Sequence, residues 1–321
     1  MLTSKKIKSY AKSCGADLVG IGSMDRFEGA PKQFDPRYMM PEAKTIIVLG
    51  FRVLRGLLRG IEEGTFFYGY SSMGYAGINF VRMPVVLWEF CNIIEDAGYE
   101  ALPLPNNFPW NNADMSGRDP AKIGLPRPEI SRPVSPDKPA PDVFIHLRIA
   151  AFIAGLGEIG YSKMFLTPEF GPRQRLAAVL TDMPLEPDPI YAGPKLCDRC
   201  MSCARECPTQ AISKTKTIKI KVAGRDVEWA EIDMVKCAAG FQGGVIDVAP
   251  DGEESVPALE NMKPTPYNPF VKSMRPVYEY GRAIGGSRGC TRACMIHLEQ
   301  QGKLKNVFKQ PFRRRKPWKL A

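Results

Sequence analysis

The chain has 321 residues, of which 44% are hydrophobic and 24% are charged, and these proportions are ordinary for a globular protein with a substantial core. The sequence has neither a run of about 18 apolar residues nor an apolar leader behind its basic N-terminus, so we predict no membrane span, no secretion signal and a cytoplasmic location. The formal net charge is +10, but eight basic residues and no acidic residue lie between Lys303 and Lys319, so the rest of the chain carries only about +2.

The N-terminal part of the chain predicts helices that alternate with short, buried strands. Its apolar and β-branched runs are bounded by turn residues, as buried strands usually are, and its helical stretches repeat apolar residues every three to four positions. The predicted elements are a helix over 3–14, strands over 17–22 and 44–50, a helix over 83–97, an apolar helix over 143–154 and a strand over 176–182. This order predicts a fold of the α/β (α+β) class.

Two segments between these elements predict loops. The Gly/Tyr-rich stretch over 68–77 has neither helical nor strand periodicity, and it could line a pocket with tyrosines or simply pack on the surface. The stretch over 103–141 has ten prolines in 39 residues. An irregular segment of that length inside a compact protein is usually a lid or a binding loop.

Gly155, Gly157 and Gly160 form a G-x-G-x-x-G string. A dinucleotide-binding loop of this type follows a strand and opens a helix, with an acidic residue about 20 positions further on. Here the string follows a predicted helix, so the sequence argues against a nicotinamide site.

The clearest motif of the chain is a run of four cysteines followed by proline. Cys197, Cys200, Cys203 and Cys207 have the spacing C-x2-C-x2-C-x3-C-P. Bacterial ferredoxins hold 4Fe-4S clusters with this run, whose fourth cysteine binds a second cluster. A zinc site is the alternative, but zinc sites rarely use three such spacings followed by Cys-Pro.

A second group of cysteines follows downstream as Cys237, Cys290 and Cys294. We predict that Cys294 completes the first cluster, while Cys207, Cys237 and Cys290 hold the second. The position expected for a fourth thiolate is Ser287, so the second cluster could have a serine ligand, an open iron or three irons. Cys14 and Cys91 lie in helical patterns, and we interpret them as buried apolar residues.

The basic tail over 301–321 is interpreted first as a solvated terminus. It could also dock an acidic redox partner or an anionic surface. Nucleic-acid binding is not favoured, because few aromatic side chains accompany the basic residues.

The segments over 154–160, 166–175 and 181–187, together with the cysteine run, resemble the catalytic region of corrinoid-dependent reductive dehalogenases and, more distantly, epoxyqueuosine reductase. The resemblance implies a nitroreductase-like, corrinoid-binding catalytic domain over 1–190 and a two-cluster, ferredoxin-like domain over 191–300. It implies base-off cobalamin held by loop contacts, which include the loop of Gly155, Gly157 and Gly160, without a histidine ligand.

The resemblance also implies three catalytic side chains. Asp142 falls at the polar active-site position and Arg175 at the substrate-side arginine, with Arg173 as second choice. The proton-donating tyrosine is best matched by Tyr75, although strict spacing leads to Phe80. The structural alternatives are that Asp142 only caps the helix predicted to start after it, and that Arg175 only pairs with Glu169.

Together these features predict an oxidoreductase that cleaves a carbon–halogen or carbon–oxygen bond of a small organic substrate. Electrons would pass from a ferredoxin- or flavodoxin-type donor through two iron-sulfur clusters. One alternative is an electron-transfer protein or reductive activator that binds no corrinoid itself and docks on a corrinoid protein. A second alternative is a tRNA-modifying enzyme like epoxyqueuosine reductase.

Overall fold

The computed structural model describes residues 2–60, 66, 69–106, 132–241, 247–248, 254–255 and 289–312. The helices are α1 (Ser4–Ser13), a π-helix (Tyr70–Arg82), α2 (Met83–Glu95), α3 (Leu147–Ile153), α4 (Ser202–Arg205), α5 (Met234–Phe241) and α6 (Cys290–Gln300). The strands are β1 (Leu18–Ser23), β2 (Thr45–Arg52), β3 (Ala101–Leu104), β4 (Glu158–Ile159), β5 (Phe165–Leu166), β6 (Gln174–Thr181), β7 (Ile212–Val222), β8 (Arg225–Ile232), β9 (Asp247–Val248) and β10 (Glu254–Ser255). Short 3-10 helices cover Met24–Phe27, Lys32–Phe34, Pro36–Tyr38 and Arg55–Leu58.

The centre of the fold is a four-stranded sheet in the order β1-β2-β6-β3, and every neighbouring pair in it is antiparallel. Strand β2 is buried on both faces because its apolar side chains alternate between two cores. Ile47 and Leu49 pack with α1 and α2 on one face, whereas Ile46 and Val48 pack with α3 on the other. The mixed helix-and-sheet class and the central strands predicted from the sequence are confirmed.

The prediction of a loop over 68–77 is wrong for the described part of this segment. The π-helix begins at Tyr70 and continues directly into α2. The α-helical period of 3.6 does not describe a π-helix, whose hydrogen bonds join residues five apart, and this difference explains why the sequence pattern looked irregular. The continuous helix Tyr70–Glu95 is long and apolar enough to span a membrane. Length and composition alone are weak evidence for a membrane span, because the inner face of this helix packs Leu87 and Phe90 into the core, as a core helix does.

The helix predicted over 143–154 begins four residues later, at Leu147. Asp142 adopts a left-handed backbone conformation with a φ of 59°, and the chain then stays non-helical up to His146. His146 is the N-cap of α3, because its Nδ1 atom accepts a hydrogen bond from the backbone N–H of Ile149 at 3.3 Å. The alternative that Asp142 caps this helix is therefore wrong.

The cysteine-bearing part of the chain packs against the central sheet through the hairpin β4–β5. The N–H of Tyr161, in the turn of this hairpin, donates to the Cys197 sulfur at 3.3 Å. Beyond α6 the chain returns to the N-terminal part, where the N–H groups of Lys305 and Asn306 donate to the carbonyls of Pro168 and Glu169. These contacts hold the thiols close to the sheet.

Candidate redox site

A cavity of about 890 Å³ opens beside the start of β6. Its walls come from the 3-10 segment after residue 36, the end of β3, the non-helical stretch before α3, and the hairpin β4–β5. The side chains that matter for its chemistry are Lys138, Asp142, His146, Arg148, Gln174 and Arg175. Most of the other lining residues are apolar, as in sites that bind organic ligands and cofactors.

Arg175 lines the cavity and is fixed from behind by the π-helix. Its Nη2 atom donates to the Tyr70 hydroxyl at 2.8 Å, and its Nε atom donates to the Gly74 carbonyl at 3.3 Å. Its guanidinium lies 4.7 Å from the ring centre of Tyr75. The alternative that Arg175 only pairs with Glu169 is wrong, because Glu169 binds Lys305 instead.

Tyr75 and Arg175 are therefore neighbours, as their predicted roles would require. Tyr75 is half-buried, and among the described residues it stands behind Arg175 rather than in the cavity wall. Its ring makes edge contacts with Phe80 at 6.1 Å and with Phe241 at 5.5 Å. Burial raises the pKa of the nearby Tyr70 hydroxyl, which makes Tyr70 a poor acid but a stable hydrogen-bond partner for Arg175.

Asp142 also lines the cavity, at a site separate from the Arg175 and Tyr75 pair. Its side chain is exposed. The left-handed φ of 59° suits Asp or Asn better than most other residues with a β-carbon. Its side chain therefore lies at the solvent-exposed edge of the cavity.

Arg173, the second choice for the substrate-side arginine, does not reach the cavity. It is fully buried, and it donates to the Val53 carbonyl and to Asn306 Oδ1, both at 2.8 Å. Its guanidinium lies 5.4 Å from the ring centre of Phe308, and burial lowers its pKa to about 10. Arg173 anchors the C-terminal segment, so its assignment to the substrate side is wrong.

The three glycines of the G-x-G-x-x-G string pack against protein. A β-carbon at Gly155 would lie 2.3 Å from the Pro189 carbonyl oxygen, and one at Gly157 would lie 2.0 Å from that of Leu166. At Gly160 it would meet the Leu166 side chain at 2.9 Å. Among the described residues these glycines allow close packing of the hairpin that supports the thiols, and none of them lines the cavity.

Two groups of thiols were predicted from the spacing, and their role as ligands of two clusters stays a prediction. Cys197, Cys200, Cys203 and Cys294 surround one small void. Burial, followed by the charges of Cys197, Cys203 and Cys200, raises the pKa of Cys294 well above its usual value. Buried thiols of this kind become thiolates only when a metal binds them, which matches the donor set of an iron-sulfur cluster.

The second group consists of Cys207, Cys237 and Cys290. Burial, followed by the charges of Cys237 and Cys207, raises the pKa of Cys290 to about 12. The N–H of Ala211 donates to the Cys207 sulfur at 3.3 Å, a contact that stabilises a metal-bound thiolate. Ser287, the predicted substitute for a fourth cysteine, lies outside the described residues. Cys91, by contrast, is buried in the sheet core and Cys14 packs against it, as expected.

Sequence reasoning missed two cations that interact electrostatically with thiols of the second group. Arg148 and Lys163 are half-buried, and burial lowers the pKa of both side chains. Burial, followed by the charges of Arg148 and Lys163, lowers the pKa of the neighbouring His146 to about 3. The sequence carried one signal for this group, namely a histidine and an arginine inside an otherwise apolar stretch.

Comparisons with known proteins match this arrangement. A family model described as a 4Fe-4S binding domain covers residues 191–213. The tetrachloroethene reductive dehalogenase of Sulfurospirillum multivorans is 51% identical over 63 residues, which are 19% of this chain and 13% of that protein. The predicted resemblance to reductive dehalogenases is confirmed. The epoxyqueuosine reductase of a Synechococcus species is 30% identical over 125 residues, which are 36% of this chain and 38% of that protein.

Among solved structures, a variant of the N-terminally tagged catabolic reductive dehalogenase NpRdhA aligns with a TM-score of 0.50 and 21% identity. The alignment covers 74% of this chain and 29% of that one, and it supports the fold alone. The matches span well under two thirds of each of these relatives. The activity of this chain is therefore argued from its own residues.

Proposed function

We propose that this protein is an iron-sulfur reductase of the reductive dehalogenase type, which uses cobalamin to cleave a carbon–halogen or carbon–oxygen bond of a small organic substrate. The observation that carries this proposal is the position of Arg148. This residue lines the large cavity and also interacts with the thiols of Cys290 and Cys237. A redox centre held by the second thiol group would therefore adjoin the substrate cavity directly.

Two iron-sulfur clusters fit the seven cysteines, four in the first group and three in the second. The mainly apolar lining of the cavity, with a few charged side chains among it, suits the corrin ring of cobalamin in chemical character. When bound, cobalamin supplies a low-potential cobalt centre that can deliver electrons to a substrate carbon. The residues that would hold it are the backbone and side chains of the stretch 138–148 and the start of β6.

Two side chains of the protein have proposed roles in the rest of the reaction. Arg175, held by Tyr70 and Tyr75, is placed to stabilise the anion that leaves the substrate. Asp142, at the cavity edge, can deliver the proton that replaces the leaving group. Because the cysteines are all unpaired thiols, we propose that the protein functions in the cytoplasm. Its proposed electron donor is of the ferredoxin or flavodoxin type.

The proposal is tested by turnover of the complete protein, reconstituted anaerobically with iron, sulfide and cobalamin. A panel of organohalides and epoxides is supplied with a reduced viologen dye as electron source. Dye oxidation that depends on both substrate and cobalamin supports the proposal. Protein that oxidises the dye only in the presence of a second, corrinoid-carrying protein would point to the reductive activator instead, and turnover of a modified tRNA alone would point to the epoxyqueuosine reductase alternative.

A further inference from the structure

Arg148 carries a charge that no described residue neutralises. It makes no hydrogen bond or salt bridge within the part of the chain that the structure describes, although it is half-buried in the cavity wall. Lys163 is also half-buried and makes no hydrogen bond or salt bridge with a described residue, and its ammonium lies 5.0 Å from the ring centre of Trp229. Asp142 is the one acidic side chain among the described residues that line the cavity.

Arg148 lies in the cavity wall, whereas Lys163 lies in the turn of the hairpin β4–β5 and is not among the described lining residues. Arg148 interacts electrostatically with Cys290 and Cys237, and Lys163 interacts with Cys237 and Arg148. The chain geometry explains the position of Lys163, because it follows Ser162, whose side chain forms a hydrogen bond with Cys203. The hairpin turn that carries Lys163 is thus attached to the thiol groups by its own contacts.

We propose that Arg148, assisted by Lys163, is a positioning residue that raises the reduction potential of the cluster held by Cys207, Cys237 and Cys290. This inference rests on the proposed function, because it requires that cluster to form. Reduction adds one electron to the cluster, supplied by the external low-potential donor, and no proton or bond changes. The added negative charge is stabilised by a nearby unneutralised cation, and the stabilisation is strong where little water screens it.

The arrangement has a functional consequence. A higher potential at the second cluster makes the transfer of an electron from the first cluster to the second more favourable, because the cations act on the second group. The electron would then reside beside the cavity, where the substrate is reduced. Under this account the half-buried charge of Arg148, which costs stability through its burial, serves to tune the cluster potential.

The test is a redox titration with dithionite, followed by EPR, on anaerobically reconstituted full-length protein. Arg148→Gln should shift the midpoint potential of the second cluster to a lower value and leave that of the first cluster nearly unchanged. Arg148→Lys, which keeps the charge, should restore much of the original potential. The control is Lys138→Gln, which removes an exposed cation of the same cavity that does not act on the thiols, and it should change neither potential.

An unchanged potential in Arg148→Gln, with both clusters present, would overturn this inference and leave the proposed function intact. Iron analysis distinguishes the two failures, because a chain with about four irons and one EPR signal lacks the second cluster and overturns both. If Arg148→Gln does not fold, the same redox titration is made on Lys163→Gln. It should shift the same potential downward by a smaller amount, and no shift in that variant would contradict the proposal.

Discussion

The guanidinium of Arg175 lies 4.7 Å from the ring centre of Tyr75, across the boundary between the central sheet and the π-helix. The π-helix makes this contact possible, because residues five apart, such as Tyr70 and Tyr75, lie near one another on it. Both rings therefore contact one arginine, and the Tyr70 hydroxyl accepts its hydrogen bond. The arginine is held rigidly before any substrate arrives.

The first prediction follows from this contact. Arg175→Lys keeps the charge but loses the planar group that binds Tyr70 and Gly74 together. We expect turnover to fall by about 10²- to 10³-fold, the usual cost of losing one group that stabilises a developing anion. Iron and cobalt contents should stay at the wild-type values. The control Arg52→Lys, on the neighbouring strand, should turn over normally, and equal losses in both variants would remove Arg175 from the mechanism.

The second prediction concerns Asp142. Asp142→Asn should lower turnover by about 10²- to 10⁴-fold if the carboxyl donates a proton. Since Asp142 has a left-handed φ of 59°, Asp142→Gly should remove the carboxyl without straining the backbone. The two variants should therefore have equally low activity. Normal turnover in both would direct the search for the proton donor to Tyr75.

The third prediction concerns the clusters. The seven cysteines predict about seven to eight irons per chain after anaerobic reconstitution. If Ser287 stands where a fourth thiolate is expected, mild oxidation should give a three-iron or otherwise atypical EPR signal, and Ser287→Cys should convert it into the signal of an ordinary cubane. Cys91→Ala is the control, because Cys91 lies in the sheet core, and it should leave iron content unchanged. An identical spectrum in Ser287→Cys would show that this position is not at the metal.

The fourth prediction concerns pH. Burial, with help from Arg148 and Lys163, lowers the pKa of His146 from 6.5 to about 3 in the folded protein. Below pH 6.5 the unfolded chain therefore binds a proton that the folded chain does not bind, and stability falls as the pH falls. The slope should approach about 1.4 kcal/mol per pH unit. His146→Asn keeps an N-cap but does not titrate, so its denaturant unfolding should depend less on pH between about pH 7 and pH 5. Equal slopes would show that His146 takes up its proton in the folded state as well.

The sequence predicted those parts of the fold in which one local pattern decides the structure. The strands containing Ile47 and Val179 are nearly continuous apolar runs, and such runs predict buried strands reliably. The cysteine spacing predicted that Cys294 lies with Cys197, Cys200 and Cys203, because ligands of one cluster recur at fixed intervals. These patterns need no knowledge of distant contacts.

Other features depend on contacts that a local pattern does not contain. The π-helix was missed because its apolar residues do not follow the α-helical period, and the start of α3 was misplaced because an apolar run does not reveal where a helix begins. Arg173 and Arg175 are two positions apart, and the sequence could not show that the first is fully buried in a packing role while the second faces the cavity. Arg148 and Lys163 come together only through the hairpin β4–β5.

The measurement that tests the central claim most directly is the cobalt content and visible spectrum of the anaerobically purified protein after incubation with cobalamin and gel filtration. The account predicts about one cobalamin per chain, with a base-off spectrum that persists in His146→Asn, since loop contacts and not a histidine would hold the cofactor. A protein that keeps both clusters but retains no cobalamin would contradict the claim that this cavity is a corrinoid site.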